Sequence, residues 1–191
     1  MTITKVFEDH ATVVARAAQE LPPILARVVT ALDDCLQAGH KVLACGNGGS
    51  AADSQHLVAE LVGRFVVERR ALAAVALTAD TAILTAVGND YGFERVFARQ
   101  VEALAQSGDL LFAISTSGNS PNVVQAAQTA RGLGCTVIAL TGEGGGKLAA
   151  HADLLIRAPS TVTARIQEVH TLCIHAIADS FDSLLLARAN S

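Results

Sequence analysis

The sequence predicts an α/β fold: a three-layer, doubly wound parallel sheet of five strands with helices on both faces. Three observations carry this. Five short, continuously apolar runs are separated by segments with helical spacing, the pattern of strands buried on both sides. Two of the runs each lead into a Gly/Ser-rich loop and then a helix. Hydrophobic residues make up 51% of the 191 residues and charged ones only 17%, which suits a core of that kind.

The elements follow in order. MTITKVFEDHATVVARAAQEL has apolar residues at helical intervals and is interrupted by Pro22-Pro23. A second helix, ILARVVTALDDCLQA, stops before Gly39, a C-terminal cap. Residues 1–40 are thus expected to be N-terminal helices packed on the core of one domain spanning 1–191 and on neighbouring subunits. Strands are expected at Val42–Cys45, Ala73–Leu77, Leu110–Ser115, Thr136–Leu140 and Leu154–Ile156. Helical segments lie near 51–63, 80–88, 92–106, 121–132 and 146–151, and a final helix runs from about Thr163 to Ala187. Val87–Phe93, with Asn89-Asp90 between glycines, is expected to be a turn.

Composition excludes several functions. The net charge is −4, and Arg69-Arg70 is the only basic cluster, so nucleic acid is not an expected direct ligand. The N-terminus carries acids where a signal peptide needs bases. No apolar run approaches the roughly 20 residues of a membrane span. Cys35, Cys45, Cys135 and Cys173 lack metal-site or disulfide-framework spacing; they are expected to be reduced, buried thiols of a cytoplasmic protein.

Two of the strands run into loops suited to an anion. The first loop reads GNGGSAAD and the second STSGNSPN. Glycine lets backbone N–H groups approach a ligand, and the helix that follows presents free amides and a positive dipole end. Ser115, Thr116, Ser117 and Ser120 add hydroxyls to the second loop, and Pro121 suits a first helical position. Gly46-x-Gly48-x-x-Ala51 also fits a dinucleotide fingerprint. That reading needs an acid roughly 20 residues on, and the nearest candidate, Asp80, lies over thirty residues past the glycines. A sugar phosphate fits two hydroxyl-lined loops better.

Ionisable groups follow these loops. His56 and Glu60, four residues apart, share a helix face, with Asp53 one turn before His56. Imidazole and carboxylate together suit Zn²⁺. The alternative is a plain surface hydrogen bond. The last helix carries Gln167, Glu168, His170, His175 and Asp179 in an apolar setting. At 100° per residue Glu168 and His175 fall on nearly one line, with Gln167 about 80° from His175. Periodicity therefore couples Glu168 to His175, and an ordinary core histidine is the competing reading.

CGNGGSAADSQHLVAELVGRF, VGNDYGF, ISTSGNSPN and ARIQEVHTLCIH, in this order, resemble the sedoheptulose-7-phosphate (phosphoheptose) isomerase family of the sugar-isomerase (SIS) domain group. The resemblance spans nearly the whole chain. It implies a flavodoxin-like sheet, a homotetramer with active sites between subunits, and isomerisation of D-sedoheptulose 7-phosphate to D-glycero-D-manno-heptose 7-phosphate for bacterial lipopolysaccharide. It implies one Zn²⁺ per subunit on His56, Glu60, Gln167 and His175, with Glu60 as base and His175 as acid. Substrate contacts fall on Asn47, Gly48, Gly49, Ser50, Asn89, Asp90, Ser115, Thr116, Ser117, Ser120 and Gln167. The family thus selects Gln167 where periodicity favours Glu168. A related group resembles the same motifs and serves as a tetrameric scaffold for the bacterial replication initiator, which is the alternative function.

Overall fold

In the computed structural model, which describes residues 2–189, α1 (Ile3–Glu20) starts at Thr2, whose hydroxyl accepts from the Lys5 amide. The Pro22-Pro23 pair does not break helical structure for long: it opens α2 (Pro22–Gln37), because proline is at home in a first turn where no N–H is needed. Gly39 follows with a left-handed φ of 81°, as a residue ending a helix requires. Next come β1 (Val42–Gly46), α3 (Gly49–Val62), β2 (Ala74–Ala76), α4 (Thr81–Tyr91), α5 (Ala98–Leu104), β3 (Leu110–Ile114), α6 (Pro121–Gly132), β4 (Thr136–Gly142), β5 (Leu154–Ala158) and α7 (Thr163–Ala189). Short 3-10 turns at Phe93–Arg95 and Lys147–His151 take up parts of two expected helices. Met1, Asn190 and Ser191, which the expected domain includes, lie outside the described residues.

The five strands are all parallel, in the order β2-β1-β3-β4-β5, which is the flavodoxin-like order. One apolar layer joins α2, α3 and α7 to one sheet face through Leu32, Leu57, Leu61, Phe112, Ile138, Val169 and Phe181; the other joins α5 and α6 through Val101, Val123, Ala127, Leu111 and Val137. The central strands β1 and β3 are buried at every position, so each must be apolar on both faces. At the strands' entry side, buried Asp109 accepts from the amides of Lys41 and Gln106 and from Lys41 Nζ, tying β1 to β3. All four cysteines are free and buried.

Two expectations need correction. Val87–Tyr91 is not a turn but the last part of α4, because Asp80 caps that helix by accepting from the Ile83 amide and Gly92 (φ 85°) ends it. The same cap gives Asp80 a structural role, not the ribose contact of a dinucleotide site. Second, the 26-residue span Thr163–Arg188 is long and apolar enough to cross a membrane, with 44% of its most apolar stretch buried inside the protein. Its apolar residues Ile166, Val169, Ile174, Ile177 and Phe181 belong to the core, which accounts for its composition.

The loop after α3 is tied to α7 by one buried ion pair. Asp182 accepts from the amides of Val66 and Val67 and from Arg69 Nε at 2.9 Å. Arg69 in turn donates to the carbonyls of Glu60 and Leu61, covering the C-terminal end of α3. Burial alone would raise the Asp182 carboxyl pKa, but the two amides and Arg69 outweigh it and hold it below the ordinary range. Asp182→Ala strands a buried guanidinium and should lower stability by about 3–5 kcal/mol in urea titration. Because the folded value is depressed, the wild-type contribution is complete above the unfolded pKa near about 3.9 and is lost as pH falls through the folded one. The gap between wild type and variant should therefore close on acidification.

Candidate functional site

Both glycine-rich loops leave the carboxyl ends of β1 and β3, which are neighbours at the point where strand order reverses. Ligands of open parallel sheets bind at such a switch point. The first loop is pinned from the side: Asn47 and buried Asn122 exchange amide hydrogen bonds of 2.8 and 2.9 Å, joining β1's exit to the first turn of α6. Gly48 adopts φ 55°, ψ −120° and is exposed with Gly49, while Ser50 is buried at the start of α3. In the second loop the Ser115 and Ser120 hydroxyls lie 3.0 Å apart, and Ser117 Oγ accepts from the Asn119 amide. Thr116 and Ser120 are half-buried and Ser117 is exposed. Gly118 (φ 66°) has no room for a side chain, since a Cβ there would come within 2.6 Å of the Gly145 carbonyl carbon. The loop is thus tight, with four hydroxyls between β3 and α6.

Beyond the first loop, α3 and α7 pack together and their ionisable groups converge. Nε2 of His56 lies 3.0 Å from Oε1 of Glu60 and 3.0 Å from Nε2 of His175. The three ligand atoms lie within 4.8 Å of one another and all three residues are half-buried. The rings of His56 and His175 meet edge to face, and Phe65 stacks beside His175. A single proton on His56 Nε2 can serve one of these neighbours well, but not both. Three lone-pair atoms meeting at one point suit a cation. Tetrahedral ligands about 2.0–2.1 Å from Zn²⁺ lie about 3.3–3.4 Å apart; two separations here are 3.0 Å and all three atoms lie within 4.8 Å, so two imidazoles and a carboxylate fit the metal that the resemblance implies by donor type, with His56 next to both partners.

Gln167, just over two turns before His175 on α7, lies over the first loop: a Cβ on Gly49 would come within 2.8 Å of its Cδ. Glu168 does not couple to His175, contrary to the helical spacing. Its carboxylate is held by His10 of α1 and by Arg165; burial opposes the net lowering of its pKa, which these two partners cause. His170 is the core histidine: wholly buried, it donates from Nε2 to the Thr141 carbonyl, and burial pushes its pKa down to about 4. Asn89 and Asp90 are exposed on α4 and hydrogen-bonded to each other at 2.7 Å. The single chain therefore brings His56, Glu60 and His175 to one another, Gln167 to the first loop and the two loops to each other, while Asn89 and Asp90 hydrogen-bond to each other and, among the described residues, to none of these.

Sequence reasoning missed four contributing residues. Asn122 closes the STSGNSPN motif and pins the first loop. Thr171 on α7 donates to Oδ1 of Asp53 on α3 at 3.1 Å. Arg69 and Asp182 join the same two helices further along. Thr171 and Asp182 share one signal, a polar residue on the apolar stripe of α7; Asn122 and Arg69 lie in polar segments that give none.

Comparison with known proteins agrees with this geometry. The SIS domain family model matches residues 6–142. A phosphoheptose isomerase of Dechloromonas aromatica is 50% identical over 96% of this chain and 95% of its own, and one of Methylibium petroleiphilum is 54% identical over 96% and 94%. Among solved structures, a phosphoheptose isomerase from Francisella tularensis superposes with a TM-score of 0.93 at 43% identity, covering 96% of this chain and 100% of its own. One from Neisseria gonorrhoeae gives 0.90 at 48%, covering 95% and 97%. With the sheet order, both anion loops and the α3–α7 cluster all in place, the chain belongs to the SIS-domain family and, within it, to the phosphoheptose isomerases.

Proposed function

We propose that the chain interconverts D-sedoheptulose 7-phosphate and D-glycero-D-manno-heptose 7-phosphate, supplying heptose for bacterial lipopolysaccharide. The observation that carries this is the meeting of His56, Glu60 and His175 beside the first of two anion-binding loops. Relatives at 50–54% identity bear the isomerase's name, which favours the enzyme over the replication-initiator scaffold.

The chemistry moves one proton between adjacent carbons. Hydroxyls of Ser115, Thr116, Ser117 and Ser120 hold the phosphate; Asn47 to Ser50 and Gln167 hold the sugar's reacting end. Glu60 takes a proton from the carbon next to the ketone, and the electron pair left behind forms the enediol double bond. His175 gives a proton to the former carbonyl oxygen. Return of the proton to the neighbouring carbon, with loss of the other hydroxyl proton, yields the aldose. A Zn²⁺ held by His56, Glu60, Gln167 and His175 would polarise the ligated oxygens and stabilise negative charge developing on them. A carboxylate bound to a cation is a weaker base, so Glu60 serves both roles only if one oxygen faces the imidazoles while the other takes the proton. Asn89 and Asp90 stay a substrate contact only if another subunit meets them.

A homotetramer fits the apolar side chains left exposed on the single chain, among them Ile3, Phe7, Tyr91 and Phe93. The acidic net charge and reduced cysteines support a cytoplasmic enzyme without nucleic-acid or membrane partners.

Purified protein should turn over sedoheptulose 7-phosphate, lose activity to a chelator and regain it with added Zn²⁺; no turnover under any metal condition rejects the reading. Glu60→Gln should abolish turnover and keep phosphate binding, and near-normal activity there would remove Glu60 as base. His175→Gln should cost several powers of ten in kcat. Gly49→Ala should displace Gln167 and lower kcat/KM by about tenfold to a hundredfold with little change in Tm; unchanged kinetics would separate Gln167 from the site.

A further inference from the structure

Asp53 is 7% exposed, yet only one of its carboxylate oxygens is used: Oδ1 accepts from the Thr171 hydroxyl, while buried Oδ2 has no hydrogen-bond partner among the described residues. Native interiors seldom keep such a group without a reason, because an apolar residue there would avoid the desolvation cost. Its place supplies one. Asp53 lies one turn before His56, and Thr171 lies four residues after Gln167 and four before His175. The Gln167 carbonyl lies 3.2 Å from the same hydroxyl, whose one proton it shares with Asp53, so the bridge sits on α7 midway between the two residues that α7 gives to the site. The Arg69–Asp182 pair joins α3's far end to α7, and His56, Glu60 and His175 lie between these two ties. Burial raises the Asp53 carboxyl pKa, against the effects of the Thr171 hydroxyl and the nearby His56 charge.

We propose that Asp53 is a positioning residue that acts through Thr171, fixing the register of α7 against α3 so that His175 meets His56 and Glu60 while Gln167 covers the first loop. This rests on the isomerase reading for its kinetic consequence but not for its geometric one. Thr171→Val removes the hydroxyl at nearly constant volume, and Thr171→Ser keeps it. In metal-free protein, the imidazole ¹⁵N shifts of His56 and His175 should move in Thr171→Val and stay at wild-type values in Thr171→Ser. By chelator competition the valine variant should bind Zn²⁺ about tenfold to a hundredfold more weakly. Its kcat should fall by about tenfold with KM within about twofold, and the serine variant should recover both. Unmoved imidazole shifts in Thr171→Val, or a serine variant as impaired as the valine one, would overturn the proposal. A wild type inert toward sedoheptulose 7-phosphate would reject only the function, since the shift measurement decides the register by itself. Asp53→Asn keeps an oxygen for Thr171 and checks that folding is retained: it should melt cooperatively and show wild-type shifts at His175, and a His175 shift moved as far as in Thr171→Val would also count against the bridge.

Discussion

The packing of α3 on α7 is the constraint on which the rest of this molecule depends. The two helices are more than a hundred residues apart in sequence, and each supplies half of a polar cluster that neither could form alone. Both lie on one face of the sheet, where Leu57, Leu61, Val169, Ile174 and Phe181 share a single apolar core. Apolar burial is strong but non-directional, so it can press the helices together without choosing their register. Directional bonds make that choice: Thr171 to Asp53 at one end, Arg69 to Asp182 at the other. Between them the imidazoles of His56 and His175 come within 3.0 Å, a contact that a slip of one residue along either helix would destroy.

The sheet does the corresponding work for the loops. A parallel order with β1 and β3 side by side puts two strand exits next to each other, and each connection then runs into a helix. The Asn47–Asn122 amide pair joins those exits. On the proposed reading, an anion there would meet hydroxyls already held in place, which lowers the entropic cost of binding. The acidic chain as a whole repels phosphate weakly, so binding must come from this local field and not from long-range attraction.

The fold was legible in the sequence because its two signals are strong. Strands buried on both faces must be apolar at every position, and helices packed on one face must repeat near 3.6 residues; neither pattern resembles the other. What failed were features decided by single capping residues. Asp80 and Gly92 extend α4 through Asn89 and Asp90, and local turn preference could not see that an upstream cap had already committed the backbone. The loops and the His56–Glu60 pair were legible because strand, loop and helix are contiguous there. The two halves of the α3–α7 cluster could be linked only by the family resemblance, since no local pattern encodes which helices meet.

The choice between Gln167 and Glu168 shows how far periodicity can be pushed. Measured from His175, Glu168 falls almost in line and Gln167 does not. Measured from Thr171, Gln167 and His175 fall about 40° to either side and Asp182 about 20° away, whereas Glu168 lies about 60° off. Thr171, His175 and Asp182 all turn toward α3 or the chain leaving it, so the stripe is centred on Thr171, and Gln167 belongs to it. Glu168, at its edge, is taken by His10 and Arg165 on the α1 side. A titratable residue makes a poor origin for such a wheel, because its long side chain can reach sideways. A short hydroxyl that must meet its partner directly marks the centre of a helix contact more faithfully. That is why a threonine with no evident chemistry of its own proves the better guide to which residues share the site.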